Sequence, residues 1–417
     1  MPGYKILLNA LVCVVLISVF SACQQSDAGK LPAGVWRATL KTELGTEIPF
    51  NFEVIDSAGK KLIDIINGEE RFRADEITLT EDSVIIQMPF ESEIRAAIAG
   101  NKLSGKWIKH LKDTSPEMKF TAVPNASWRF FNTDVNTKFN VSGRWSTTFL
   151  SQDKKDTTIA IGEFNQNGTK LTGTFLTTTG DYRFLEGTVS KDKIYLSCFD
   201  GSHAYLFTGK LQNDKTISNG TFHSGLSSIE TWSAKKDDQA MLPDAYSLTA
   251  LKPGFDKLDF SFQNLDGEKV SLSDPKFQNK VVVIQFFGSW CPNCMDETVY
   301  LASFYNRFKD RGVEVVGLAY ERSTDEERSK KSVQRMKDRL NVEYDLLITG
   351  YTNDKEEVAK SLPMLNQFVA FPTTVIIDQS GKVNKIHTGF SGPGTGKHYT
   401  DFVEEFENNI NELLAEK

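Results

Sequence analysis

Trp290-Cys291-Pro292-Asn293-Cys294 is the segment in which residue type and spacing both point to chemistry. Cysteines three apart lie on the same face of a helix, near enough to close a disulfide after a small adjustment. A helix N-terminus presents free N–H groups and the positive end of the helix dipole, which favours a thiolate at Cys291. Pro292 suits the first helical turn because proline has no N–H to lose there. Two other readings use the same spacing. Half of a zinc site would need a second cysteine pair or a His-x-x-x-His, and neither is in the chain. A purely structural disulfide would close a loop of only four residues, which gains little entropy.

The surrounding pattern supplies the elements that would hold this segment. Val281-Val282-Val283-Ile284-Gln285-Phe286-Phe287 is a nearly continuous apolar run, as in a strand buried on both faces. A helix is expected from about 292 to 310, with Gly312 as its stop. Residues 313–319 read as a second buried strand. Ser323-Thr324-Asp325-Glu326 reads as a capping box opening a charged helix to about 340. A short strand over 343–348 and a short helix over 354–362 follow. Residues 374–377 and 382–387 form a hairpin around Asp378-Gln379-Ser380-Gly381. A last amphipathic helix runs from about 399 to 415. Strand–helix alternation followed by a hairpin and a helix predicts a mixed sheet covered on both faces.

Residues of about 253–417 resemble the thioredoxin fold, specifically the TlpA/ResA-type branch of membrane-anchored thiol-disulfide oxidoreductases. The stretch from Phe260 to Leu272 resembles that family's leading hairpin, and Phe286 to Cys294 its redox motif. Phe371-Pro372-Thr373-Thr374 resembles the cis-proline loop that faces the motif. The resemblance implies that Cys291 is the attacking thiolate, Cys294 the resolving thiol, and the two together the redox disulfide. It implies a functional acid at Glu297, three residues past the second cysteine. Many thioredoxins carry an Asp six residues before the first cysteine; here that position is Gln285, which cannot ionise. If Pro372 is cis, Phe371 offers its backbone to a bound substrate strand, and Trp290 and Pro292 complete the substrate-binding surface. A peroxiredoxin-like thiol peroxidase shares the fold, but its cysteine usually follows Thr-x-x, and here Ser289-Trp290 leads a CxxC.

Residues 31–235 show short alternating segments and turns such as Asn67-Gly68, Asn167-Gly168 and Asp200-Gly201, with no long helical period. Strands at this spacing predict an all-β sandwich or barrel. A weak internal repeat is visible: Gly34-Val35-Trp36 against Gly143-Arg144-Trp145, Arg71-Phe72 against Arg183-Phe184, and Leu103 to Trp107 against Ile217 to Phe222. Two repeated units are expected, 24–127 and 139–235, with a single larger barrel as the alternative. A polar linker, 236–254, leads to the thioredoxin-like domain, 255–417. Five of the six tryptophans lie in the β region, where core filling is favoured over an aromatic platform for peptide or glycan. Cys198 reads as a buried small hydrophobe, and Gly389 to Lys397 as a flexible approach to the final helix.

Residues 1–22 read as a signal peptide, with Lys5 ahead of a short apolar run that ends in Phe20-Ser21-Ala22-Cys23. This resembles the lipobox of bacterial lipoproteins, which implies lipidation at Cys23. Gln24 after it, by analogy with enterobacterial sorting, points to the outer membrane. The chain of 417 residues is 40% hydrophobic and 25% charged, as in ordinary globular proteins. Its net charge of −7, with no basic patch in the sequence, argues against nucleic acid as a main partner. Five cysteines exclude a disulfide-stapled mini-protein. No cofactor and no metal are expected. The expected partners are a protein thiol or disulfide client, an upstream membrane electron donor, and the membrane through the N-terminal lipid. A rival reading makes the β region a peptide- or glycan-binding module with an accessory redox domain.

Overall fold

The computed structural model describes residues 31–416. The expected signal peptide and Cys23 lie outside the described residues. The N-terminal region is all-β and the C-terminal region is a thioredoxin-like α/β domain.

The first sheet has nine antiparallel strands, from Gly34–Lys41 to Glu117–Pro124. Its edge strands, Glu70–Arg73 and Glu76–Leu79, are separated in the chain only by Ala74 and Asp75. Consecutive strands can occupy opposite edges only if the sheet curls until those edges face each other. Trp36, Phe50, Phe52 and Phe120 fill the interior. The second sheet runs from Gly143–Ser151 to Ser228–Lys236, and pairing of Thr157–Asn167 with Lys170–Thr177 closes it into a ring. Closure removes the exposed edges of an antiparallel sheet. Its interior holds Trp145, Phe149, Phe175 and Phe207.

The internal repeat has a structural basis. In both units the first strand pairs with the second and with the last. Gly34 and Gly143 share φ values of 113° and 112°. The Trp36 indole donates to Pro32 O at 3.0 Å and the Trp145 indole to Val141 O at 2.8 Å. The Arg71/Arg183 match fails at the side chain: Arg71 is exposed and Arg183 is buried. Trp36, Trp107, Trp145 and Trp232 are all core residues, and Trp128 lies half-buried under the Arg37 guanidinium. Cys198 is a buried free thiol.

Arg129 fastens the two units. From the segment between them it donates to Ser197 O at 3.1 Å, to Glu186 at 3.2 Å and to Ile66 O. Phe50 and Phe199 pack across the same junction, 4.4 Å apart.

The C-terminal domain is a seven-stranded mixed sheet. Val281–Phe287 lies centrally, parallel to Val313–Glu321 and antiparallel to Thr373–Ile377. Its alternate residues serve two cores. Val281, Val283 and Phe287 pack with Leu301, Phe304 and Phe406, whereas Val282, Ile284 and Phe286 pack with Val358, Leu362 and Phe368. That explains an apolar run without polar alternation. Gln285, buried on the first of these faces, is the polar exception.

Four local expectations are corrected. The helix Glu326–Leu340 is capped by Asp325, which accepts from Arg328 N at 3.0 Å, while the Ser323 hydroxyl accepts from Asp325 N at 3.1 Å. The strand expected at 343–348 is Asp345–Thr352, and the last helix is Lys397–Ala415. The segment 389–397 is tied down: Gly392 N donates to Asp181 at 2.7 Å and Thr395 to Gly392 O at 2.7 Å. No helix among the described residues is long and apolar enough to cross a membrane.

Candidate active site

The central strand delivers the chain to Gly288, and the helix Pro292–Phe308 starts four residues later. Gly288 lets the Trp290 ring fold back over the backbone; a Cβ there would lie 2.1 Å from the indole nitrogen. That nitrogen donates to Tyr320 O at 3.0 Å, and the ring stands edge-on to Phe371 at 5.6 Å. Cys291 is the N-cap of the helix, and its sulfur accepts the Cys294 N–H at 3.2 Å. One free donor of the helix end is thus directed at the sulfur. Cys291 and Cys294 form a disulfide with Cα atoms 5.2 Å apart. Cys291 is 6% exposed and Cys294 fully buried.

Glu297 follows one turn below Cys294 and is 1% exposed, so it is not a surface acid. It accepts from Gln285 Nε2 at 2.8 Å and from Thr374 Oγ1 at 2.7 Å. Gln285 also donates to Cys294 O at 3.3 Å, and its own Oε1 accepts from Thr298 at 3.0 Å. Burial pushes the Glu297 carboxyl up to about 7, against the two hydrogen bonds, which favour the ionised form. A carboxyl poised there can hold or release a proton near neutral pH. The Phe371–Pro372 bond is cis, and the loop stands against Trp290. The structure therefore brings Trp290, Cys291, Pro292, Cys294, Glu297, Phe371 and Pro372 together at one end of the central strand.

Three further buried groups flank the motif. Glu321 accepts from Ser289 N and Ser289 Oγ, both at 2.8 Å, and burial pushes its carboxyl up to about 7. It was legible in principle, as an acid at the C-terminal end of a buried parallel strand, where α/β sheets place their sites. Asp296 is raised to about 7, by burial first and by nearby Asp181 and Glu70. Its partner is Arg183 of the second β unit, which also donates to Pro292 O at 3.1 Å and to Glu70 at 2.5 Å. Nothing local in the sequence marks Arg183 for this place. His387 and His398 lie apart from the disulfide; His398 meets Glu163 at 3.0 Å. No group of three or more His, Cys, Asp or Glu arranged to hold a metal occurs among the described residues.

A strand-to-helix turn carrying a CxxC disulfide, opposite a cis-proline loop on a mixed sheet, defines a thioredoxin-type redox protein. The model of the AhpC/TSA family matches residues 254–386. The thioredoxin-like protein YneN of Bacillus subtilis is 30% identical over 131 residues, covering 31% of this chain and 68% of that protein. The thiol-disulfide oxidoreductase ResA of Halalkalibacterium halodurans is 26% identical over 140 residues, 33% of this chain and 69% of ResA. The thioredoxin domain of a thiol-disulfide oxidoreductase from Bacteroides vulgatus aligns at 27% identity over 38% of this chain and 99% of that one, with a TM-score of 0.28. The chain belongs to the thioredoxin-like thiol-disulfide oxidoreductases and is an oxidoreductase of the ResA type.

Proposed function

We propose that this protein reduces disulfides of protein clients in the bacterial cell envelope, cycling Cys291 and Cys294 between dithiol and disulfide. Cys291 thiolate attacks a client sulfur; a Cys291–client bond forms and the client's other sulfur leaves as thiolate. Cys294 gives its proton to the Glu297 carboxylate and displaces the client sulfur from Cys291. The client leaves with two thiols, and the enzyme holds the Cys291–Cys294 disulfide. An upstream membrane dithiol donor restores the reduced state.

The observation that carries the direction is the sparse stabilisation of the Cys291 sulfur. Among the described residues, the Cys294 N–H is its one hydrogen-bond donor. The nearby Arg183 charge is shared among Glu70, Asp200 and Asp296. A strong oxidant needs its reduced form stabilised, and little here does so. Trp290, Pro292, Phe371 and Pro372 form the client-facing surface in this reading. The domain limits that accompany it are β units 24–127 and 139–235, a linker, and the redox domain from 255. Location at the outer membrane by a lipid on Cys23 rests on the sequence of residues 1–25.

The test is trapping with a disulfide-bonded client. Cys294→Ser is expected to accumulate a mixed disulfide at Cys291, and Cys291→Ser to accumulate none. Equal trapping by both variants would remove the assigned roles. The AhpC/TSA match supports a thiol peroxidase as a second reading. Peroxide consumption by the reduced chain that exceeds client reduction would favour it.

A further inference from the structure

The β region covers the redox helix. Gly180, with φ at 141°, comes so close to Asn293 that a Cβ would lie 2.3 Å from its amide nitrogen, and that nitrogen donates to Asp181 O at 3.2 Å. Arg183 grips Pro292 O and Asp296. From the first unit, Phe90 and Glu91 share with Ser289 and Met295 a crevice of only about 30 Å³. Positions −2, +1, +2, +4 and +5 relative to Cys291 thus all meet the β region. In this arrangement the β region lies against the helix turn that carries Cys291, which is itself only 6% exposed.

The ion pairs between the first unit and the redox domain set carboxylates on one side against guanidiniums on the other. The redox domain contributes Arg322, Arg328, Arg335 and Arg339; the β unit contributes Asp75 and Glu91. Arg339 also stacks over Phe72, 5.3 Å from the ring centroid. Lys331 lines the same groove as Arg328 and Glu91. This arginine collar reaches the redox motif through the Ser289–Met295 crevice.

We propose that the β region is a lid in cis over Cys291, and that the client displacing it carries an acidic segment beside its disulfide, which replaces Asp75 and Glu91 on the arginine collar. The client half of this inference rests on the reading of the protein as a disulfide reductase; the lid half does not. The collar selects by charge: an acidic flank recovers the ion pairs lost on opening, whereas a basic flank meets four guanidiniums.

The experiment uses the full chain, its redox pair reduced, in two arms. In the first, alkylation at Cys291 is followed by peptide mass spectrometry, with no client present. Asp75→Asn/Glu91→Gln is expected to speed alkylation about tenfold, because breaking partly buried pairs frees the lid. An unchanged rate overturns the lid. A melting temperature within a few degrees of the unaltered chain is required of the variant, and Arg335→Glu/Arg339→Glu, on the other side of the interface, must give the same acceleration. In the second arm, two disulfide peptides of equal length, one flanked by Asp/Glu and one by Lys/Arg, compete for reduction. The acidic peptide is expected to react about tenfold faster, with the preference reversed in the Arg335→Glu/Arg339→Glu variant. Equal rates overturn the client chemistry. Failure to reduce either peptide, with the alkylation result intact, overturns the reductase reading and leaves the lid standing.

Discussion

Thr374 Oγ1 donates to Glu297 Oε1 at 2.7 Å, which ties the strand after the cis-proline loop to the helix that carries both cysteines. The loop proposed to receive the client and the acid proposed to serve Cys294 are therefore one hydrogen bond apart. Gln285 completes the link by bonding both Glu297 and the Cys294 carbonyl.

The first prediction concerns rate against pH. Only the ionised Glu297 accepts the Cys294 proton, so resolution of the mixed disulfide should accelerate as pH rises through about 7. Glu297→Gln should lose that inflection and slow resolution about 100-fold. Thr374→Val removes a bond that favours the carboxylate and should move the inflection upward. Stopped-flow resolution rates across pH read all three. An inflection retained in Glu297→Gln assigns the proton elsewhere.

The second prediction concerns stability. Glu297 is raised from an ordinary 4.5 to about 7 in the folded chain. Below 4.5 both folded and unfolded chains hold this proton, and the stabilisation is complete. Between 4.5 and 7 the folded chain keeps a proton that the unfolded chain releases, so stability falls as pH rises. One such group accounts for about 3 kcal/mol at most, at about 1.4 kcal/mol per pH unit. Glu321 and Asp296 act in the same direction. Urea midpoints should fall across this window, and Glu297→Gln should flatten the slope.

The third prediction concerns the junction of the β units. Arg129 is 6% exposed, and its guanidinium binds carbonyls and a carboxylate from both units. Arg129→Ala leaves Glu186 and the carbonyls without this partner and should cost about 3–5 kcal/mol. Chemical denaturation measures it. Arg37→Ala, which removes a guanidinium lying over the partly exposed Trp128, should cost about 1 kcal/mol or less.

How much of this was legible in the sequence depends on how local each signal is. The CxxC, the apolar central strand and the Phe371-Pro372 loop are short patterns whose chemistry follows from residue type, and the structure assembles them at one site. Gly34-Val35-Trp36 and Gly143-Arg144-Trp145 exposed the repeat because a tight turn and a core indole constrain the same three positions. Arg183 was not legible: its partners Glu70, Asp200 and Asp296 come from three distant segments. The covering of the redox helix by the β region is held by long-range pairs of the same kind, from Arg183 to Asp296 and from Asp75 and Glu91 to the redox domain's arginines. Ser323 lost the capping position to Asp325 because two good capping residues, two positions apart, compete for one helix end.

The most direct measurement is the reduction potential of Cys291/Cys294 in the full chain, equilibrated in dithiol buffers. A sparsely stabilised Cys291 sulfur predicts a value near that of thioredoxin, about −270 mV, as a disulfide reductase requires. A value near about −120 mV would contradict it and make the protein a donor of disulfides.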